Sequence, residues 1–229
     1  MNTMKTLVLL AVIFSLSTSA VALDQEGGAR FLIGEPTGEF GDAVDNVGVG
    51  LELHYGLRPV PALTFGIGFN AMIYGSESQT LSLPLVEDFD LTTSNNLAGS
   101  FLFAQWRPLS GAVQPYAEAR VGINYLWTES KLEDEDWWDD DEVARETNYD
   151  DFAAYWGGGG GLLIKLKEAD YANDQPGVFL DIKVSHLRGS VAEYLTEGDI
   201  SIVDNVPIYH SSQSKTDLTT YELGVVLTF

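Results

Sequence analysis

Apolar and polar residues alternate along most of this chain with a period of two. The last nine residues set the pattern: Tyr221, Leu223, Val225, Leu227 and Phe229 form one row, and Glu222, Gly224, Val226 and Thr228 the other. Successive side chains of a strand point to opposite sides, so this segment reads as a strand with two unlike faces. From Val47 to Arg58, Val47, Val49, Leu51, Leu53, Tyr55 and Leu57 oppose Gly48, Gly50, Glu52, His54, Gly56 and Arg58. Leu63 to Gly75 places Leu63, Phe65, Ile67, Phe69, Ala71 and Ile73 against Thr64, Gly66, Gly68, Asn70, Met72 and Tyr74. Tyr116 to Glu129 sets Ala117, Ala119, Val121, Ile123, Tyr125 and Trp127 against Glu118, Arg120, Gly122 and Asn124. Phe152 to Leu166 carries Trp156, Leu162, Ile164 and Leu166 on one face, and Val178 to Tyr194 sets Val178, Leu180, Ile182 and Val184 against Asp181, Lys183 and Ser185. Ala29 to Thr37, Ser94 to Arg107 and Asp217 to Phe229 bring the strand candidates to eight. In Ser94 to Arg107 the phase is open, because Phe101 and Phe103 compete with Leu102 and Trp106.

The connections alternate too. Those after strands two, four and six, at about 59–61, 108–114 and 167–177, are short on the whole. Those after strands one, three, five and seven, at about 38–46, 76–93, 130–151 and 195–214, are longer and more polar. Short turns at one rim and long loops at the other predict a transmembrane barrel. The even strand number puts both ends of the barrel domain at the short-turn rim.

Residues 1–22 read as a secretory signal: Lys5 is the only charge, Leu7 to Leu16 an apolar core, and Ala20-Val21-Ala22 a small-x-small cleavage site. The apolar stretch is shorter than the ~20 residues a spanning helix needs. Residues 23–229 then form one β-barrel domain. The formal net charge of −22 excludes nucleic-acid binding through phosphate neutralisation. With no Cys in the chain, disulfide and thiol chemistry are excluded.

Alternation alone does not say which face is outside. A soluble lipocalin-like barrel carrying a hydrophobic ligand also has alternating strands, with its apolar rows inside. Three features point to the inverted arrangement. The polar rows are mostly Gly, Ser, Thr and Asn with scattered charges, which suits a narrow interior better than a solvated wall. Tyr125, Trp127, Trp156, Tyr221 and Phe229 sit near predicted strand ends, as interfacial aromatics do. The last strand runs to a terminal Phe229, and closure also satisfies every backbone polar group, as lipid demands.

From Ala29 to Phe229 the chain resembles small eight-stranded outer-membrane β-barrels of the OmpA/OmpX type. Phe31 to Gly41, reading Phe-Leu-Ile-Gly-Glu-Pro-Thr-Gly-Glu-Phe-Gly, looks like the first hairpin of the generic outer-membrane protein β-barrel domain. The resemblance implies an all-β, antiparallel up-and-down transmembrane barrel in the outer membrane of a Gram-negative-type bacterium. It also implies partners: outer-membrane lipid and lipopolysaccharide, and the outer-membrane assembly machinery. The row Tyr221, Leu223, Val225, Leu227 and Phe229 looks like the C-terminal insertion signal that this machinery reads. A monomer is expected.

The candidate chemistry is sparse. The inward rows bring together Glu52, His54, Glu118, Arg120, Asp181, Lys183 and Glu222, expected to pair as an ion-pair plug because isolated charge in a narrow interior is expensive. The acidic run Glu133, Asp134, Glu135, Asp136, Trp137, Trp138, Asp139, Asp140, Asp141 and Glu142 reads as a solvated loop. Its carboxylates are hard ligands for Ca2+ or Mg2+, and its two Trp residues suit adhesion, although the spacing matches no EF-hand. No other cofactor or metal is expected. The five glycines Gly157 to Gly161 lack the Lys-Ser or Lys-Thr of a phosphate loop and read as strand, with Tyr116 or another lumen side chain lying over them. Small barrels also include lipid A-modifying enzymes with a His and a Ser two apart. His210 and Ser212 have that spacing, whereas His54 and His186 do not. These residues favour a non-enzymatic barrel with a structural or surface-binding role, and leave a lipid A-modifying enzyme as the alternative.

Overall fold

The computed structural model describes residues 23–229 except 45, 82–88, 135–141, 174, 195–199, 204–205 and 210–211. The leader at 1–22 therefore lies outside the described residues. Eight strands close the barrel: β1 (Asp24–Pro36), β2 (Gly48–Val60), β3 (Leu63–Leu81), β4 (Phe89–Trp106), β5 (Val113–Asp134), β6 (Glu142–Lys167), β7 (Gly177–Gly189) and β12 (Leu218–Thr228). Each pairs antiparallel with its neighbour in the chain, and β1 pairs with β12 to complete the ring. Four short strands lie between β7 and β12. They are β8 (Val191–Tyr194), β9 (Ile200–Val203), β10 (Val206–Tyr209) and β11 (Ser212–Lys215), joined as the pairs β8–β11 and β9–β10. A five-residue helix, α1 (Glu39–Ala43), follows β1.

Four strands outrun the sequence expectation for one physical reason. The strands β3, β4, β5 and β6 run to 19, 18, 22 and 26 residues, beyond the apolar alternation that marked them. Their added segments are polar, so no hydrophobic period announces them; backbone pairing carries the ladder on. The roughly 9–11 residues that a tilted strand needs to cross a bilayer are met by β12 at 11. The longer four rise past the apolar belt as a polar sheet. Tyr125, Trp127 and Trp156 consequently lie within strands rather than near their ends. The seventh strand stops at Gly189 instead of Tyr194. Gly189 lies under Thr216, whose Oγ1 would stand 2.0 Å from a Cβ there, and β8 turns off to join β11.

The apolar rows face outward. Leu51, Phe69, Leu102, Phe152, Trp156 and Leu223 are all exposed on the outer wall, while their strand neighbours are buried or half-buried. This is the inverse of a lipocalin-like carrier, whose apolar rows would line a cavity. The open phase of β4 is settled the same way: Phe101 and Phe103 point inward with Gln105, and Leu102 and Trp106 point out. Glycines make the inward aromatics fit. A Cβ on Gly68 would stand 2.2 Å from the Phe101 ring, and one on Gly161 would stand 2.5 Å from Tyr116.

Candidate functional site

The lumen is filled in three layers. At the long-loop end the filling is apolar. Leu32, Met72, Leu97, Leu126, Leu187 and Leu218 pack under Phe40 of α1, which is wedged edge-on between Tyr74 and Tyr194 at 5.6 and 5.1 Å. Phe101, Phe103 and Tyr155 extend this cluster downward. The expectation of a lumen closed by small residues and ion pairs is therefore corrected for its upper part. The inward rows there contain enough large apolar residues to form a plug, as a barrel of this size leaves room only for side chains.

The middle layer holds charge. Arg30 donates from Nε to Asp181 Oδ2 at 2.7 Å and from Nη1 to Glu52. Arg120 donates from Nη1 to the other Glu52 oxygen at 2.9 Å and from Nη2 to Glu118 at 2.6 Å. Lys183 Nζ, at 0% side-chain exposure, lies 2.7 Å from Glu222, 3.1 Å from Glu118 and 3.5 Å from Glu52. Tyr116 and Thr220 complete the carboxylates' partners, donating to Asp181 at 2.7 Å and to Glu222 at 2.8 Å. The Arg120 guanidinium also stacks on Phe101, 4.3 Å from the ring centroid. Each of these charges is buried, and each is held by more than one opposite or polar group, which is the condition under which buried charge is tolerated.

Six of the seven residues singled out in the lumen thus meet: Glu52, Glu118, Arg120, Asp181, Lys183 and Glu222. His54 is buried beside them but makes no ion pair. It packs edge-on to Phe103 at 5.9 Å, and its Nδ1 has no hydrogen-bond partner. Its ring occupies the space over Gly28, where a Cβ would stand 2.4 Å from Cε1. Sequence reading missed Arg30, the hub of the layer. The signal was available, because Arg30 shares the inward parity of Leu32 and Gly34.

At the short-turn end Glu26 is held by Arg107 at 3.0 Å and Arg58 at 3.1 Å, and Arg107 also reaches Gln105. Leu163, Phe179, Val226 and Tyr116 form a small apolar floor. This second ionic cluster also escaped the sequence reading, since Glu26 precedes the segment taken as strand one.

The acidic run is only partly described. Glu133 and Asp134 end β5 and Glu142 begins β6, while Glu135, Asp136, Trp137, Trp138, Asp139, Asp140 and Asp141 lie outside the described residues. The ladder nevertheless places Asp90, Glu133 and Glu142 directly opposite one another across β4, β5 and β6. Of the His–Ser pair, His210 lies outside the described residues and Ser212 begins β11. His186 points outward from β7, with Nδ1 3.1 Å from Thr219 Oγ1. Tyr221, Leu223, Val225 and Phe229 all stand on the outer wall, and Phe229 exchanges backbone hydrogen bonds with Gln25 at 2.8 and 3.3 Å.

No family model matches the chain, and no curated protein matches it. Among solved structures it is similar to Neisserial surface protein A, at 12% identity, TM-score 0.48, covering 90% of this chain and 97% of that one. It is similar to Ail, the attachment invasion locus protein of Yersinia pestis, solved with the heparin analogue sucrose octasulfate, at 12% identity, TM-score 0.46, covering 90% and 99%. It is similar as well to the outer membrane protein OprG from Pseudomonas aeruginosa, at 15% identity, TM-score 0.43, covering 91% and 96%. The chain's own register and polarity, apolar outside and ion-paired within, make it a closed eight-stranded transmembrane β-barrel.

Proposed function

We propose that this protein is an integral outer-membrane barrel that conducts no large solutes and acts at its long-loop rim, as a structural or surface-binding element of the envelope. The supporting observation is the stacked filling of the lumen, an apolar plug over a buried ion-pair layer. A rigid closed scaffold leaves recognition to the loops and to the polar sheet that β3 to β6 raise above the belt. The mature chain refolded into lipid is expected to migrate as a compact band that shifts on boiling, and to give no stable open channels in planar-bilayer recording. Sustained unitary currents would refute the closed lumen. Recovery of a folded protein in plain buffer without detergent would refute the membrane reading.

A divalent cation at the tip of the β5–β6 hairpin is a second part of the reading. Like charges directly opposite across strands are destabilising, and Asp90, Glu133 and Glu142 share one register row. Calcium is expected to slow proteolysis within 130–146, with the effect lost in a Glu133→Gln, Glu142→Gln double variant. Equal cleavage rates with calcium and with chelator would remove the cation from the account.

A further inference from the structure

Cations on the outer wall are few. Among the described residues Lys165 and Lys167 lie near the short-turn rim, and Lys165 is paired with Glu168 at 3.1 Å. On the long-loop side Lys215 stands 4.0 Å from Glu39. Arg188 differs from all of these. It is exposed on the wall of β7, two outward positions beyond Val184 with His186 between them. It pairs across the ladder with Trp156 of β6, its guanidinium 5.4 Å from the indole centroid. It makes no ion pair among the described residues. The carboxylate of Asp217, at the adjoining start of β12, is engaged by the Gly189 N–H at 3.0 Å.

An Arg beside a 60% exposed Trp on an apolar wall is a mismatch unless something anionic meets it. Isolated charge is disfavoured at lipid-facing positions except where it reaches the headgroup level. Trp side chains settle at that level, and their faces hold a guanidinium in place while leaving its N–H fork free. The fork suits a phosphate, which accepts two parallel hydrogen bonds from it. His186, two residues away, carries further polar capacity. Below this shelf the wall is shallow. Gly158 and Gly160 of β6 lie opposite Ala119 and Ala117 of β5, so small outward positions continue down from Trp156 into the belt.

We infer that Arg188 and Trp156, with His186 beside them, bind the phosphate headgroup of an anionic lipid in the leaflet at the long-loop rim, with an acyl chain lying along the small-residue wall below. This rests on the membrane reading above. The occupant is a lipid, not a free anion, because the site opens sideways from the barrel wall rather than into the loops or the lumen.

The test uses the full mature chain refolded into phosphatidylcholine bilayers with a minor fraction of phosphatidylglycerol. Relative lipid association is read from the motionally restricted fraction of spin-labelled lipid of each class. The wild type is expected to favour phosphatidylglycerol, and Arg188→Gln to reduce that preference by about five-fold, the weight of one basic residue at a charged membrane surface. A Lys165→Gln, Lys167→Gln variant serves as the comparison at the opposite rim, and is expected to retain the Arg188-dependent part. Trp156→Leu, which keeps the charge but removes the shelf, is expected to lower the preference partially and gives a second reading. An unchanged preference in both Arg188→Gln and Trp156→Leu overturns the site, while the boiling-dependent gel shift still reports a membrane barrel. Loss of that shift in the wild type would instead overturn the membrane reading itself.

Discussion

At the scale of residues, the lumen is a set of charges that cannot be removed singly. Lys183 is enclosed by Glu52, Glu118 and Glu222, and removing its ammonium leaves those carboxylates with only Arg30 and Arg120 to balance them. Breaking a buried pair from one side costs about 3–5 kcal/mol, because the abandoned charge stays desolvated. Lys183→Met is therefore expected to lower the unfolding free energy of the refolded barrel by an amount of that order, read as a fall in the urea midpoint. Arg188→Gln, on the wall, is expected to leave the midpoint nearly unchanged. A Lys183→Met midpoint within error of wild type would mean that the ionic layer is hydrated enough to tolerate the loss. The inward acids and bases were readable from parity alone at six positions. Arg30 carried the same parity signal, whereas Glu26 needed the closed ring, which carries the alternation of β1 down to Asp24.

At the scale of elements, α1 is too short to hold itself. An isolated helix of that length is far below what water supports, and its position depends on Phe40 between Tyr74 and Tyr194. Phe40→Ala removes a fully buried aromatic, a change that typically costs about 3–5 kcal/mol. The cost is expected to fall on the mouth of the barrel. Amide exchange should quicken over 38–44 and 212–215 while protection of β1 and β12 persists. A uniform loss of protection around the ring would show instead that the plug is integral to barrel stability. The polar upper parts of β3 to β6 were not legible in sequence. Alternation is visible only where one face must avoid water or lipid, and the sequence of these segments is polar at both parities.

At the scale of the whole molecule, the apolar belt and the raised sheet behave as separate parts. The belt is closed by eight strands whose pairing continues around the ring, whereas the raised sheet is open: there β3 pairs with β4, β4 with β5 and β5 with β6, and the ladder of β6 with β7 ends at Tyr155. Replacing residues 130–146 by a short turn is expected to leave the compact, boiling-sensitive band intact while abolishing the calcium effect. Failure of the shortened chain to fold into lipid would show that the raised sheet takes part in closing the barrel. Surface binding, if it resides in the loops, would be lost in the same variant without loss of the scaffold.

The strand period, the even number of strands and the alternation of short and long connections were determined by the sequence itself, because side-chain direction in a strand is a covalent, local property. The inside-out polarity followed from the same rows, since small and charged residues suit a narrow interior. Tertiary structure alone decided the phase of β4, the apolar plug and the pairing of each carboxylate with its cation. Arg30 and Asp181 are 151 positions apart, and nothing local distinguishes one inward acid from another. Only ring closure brings β1 against β12 and β7 across the lumen. That closure converts a set of parities into a particular network of distances.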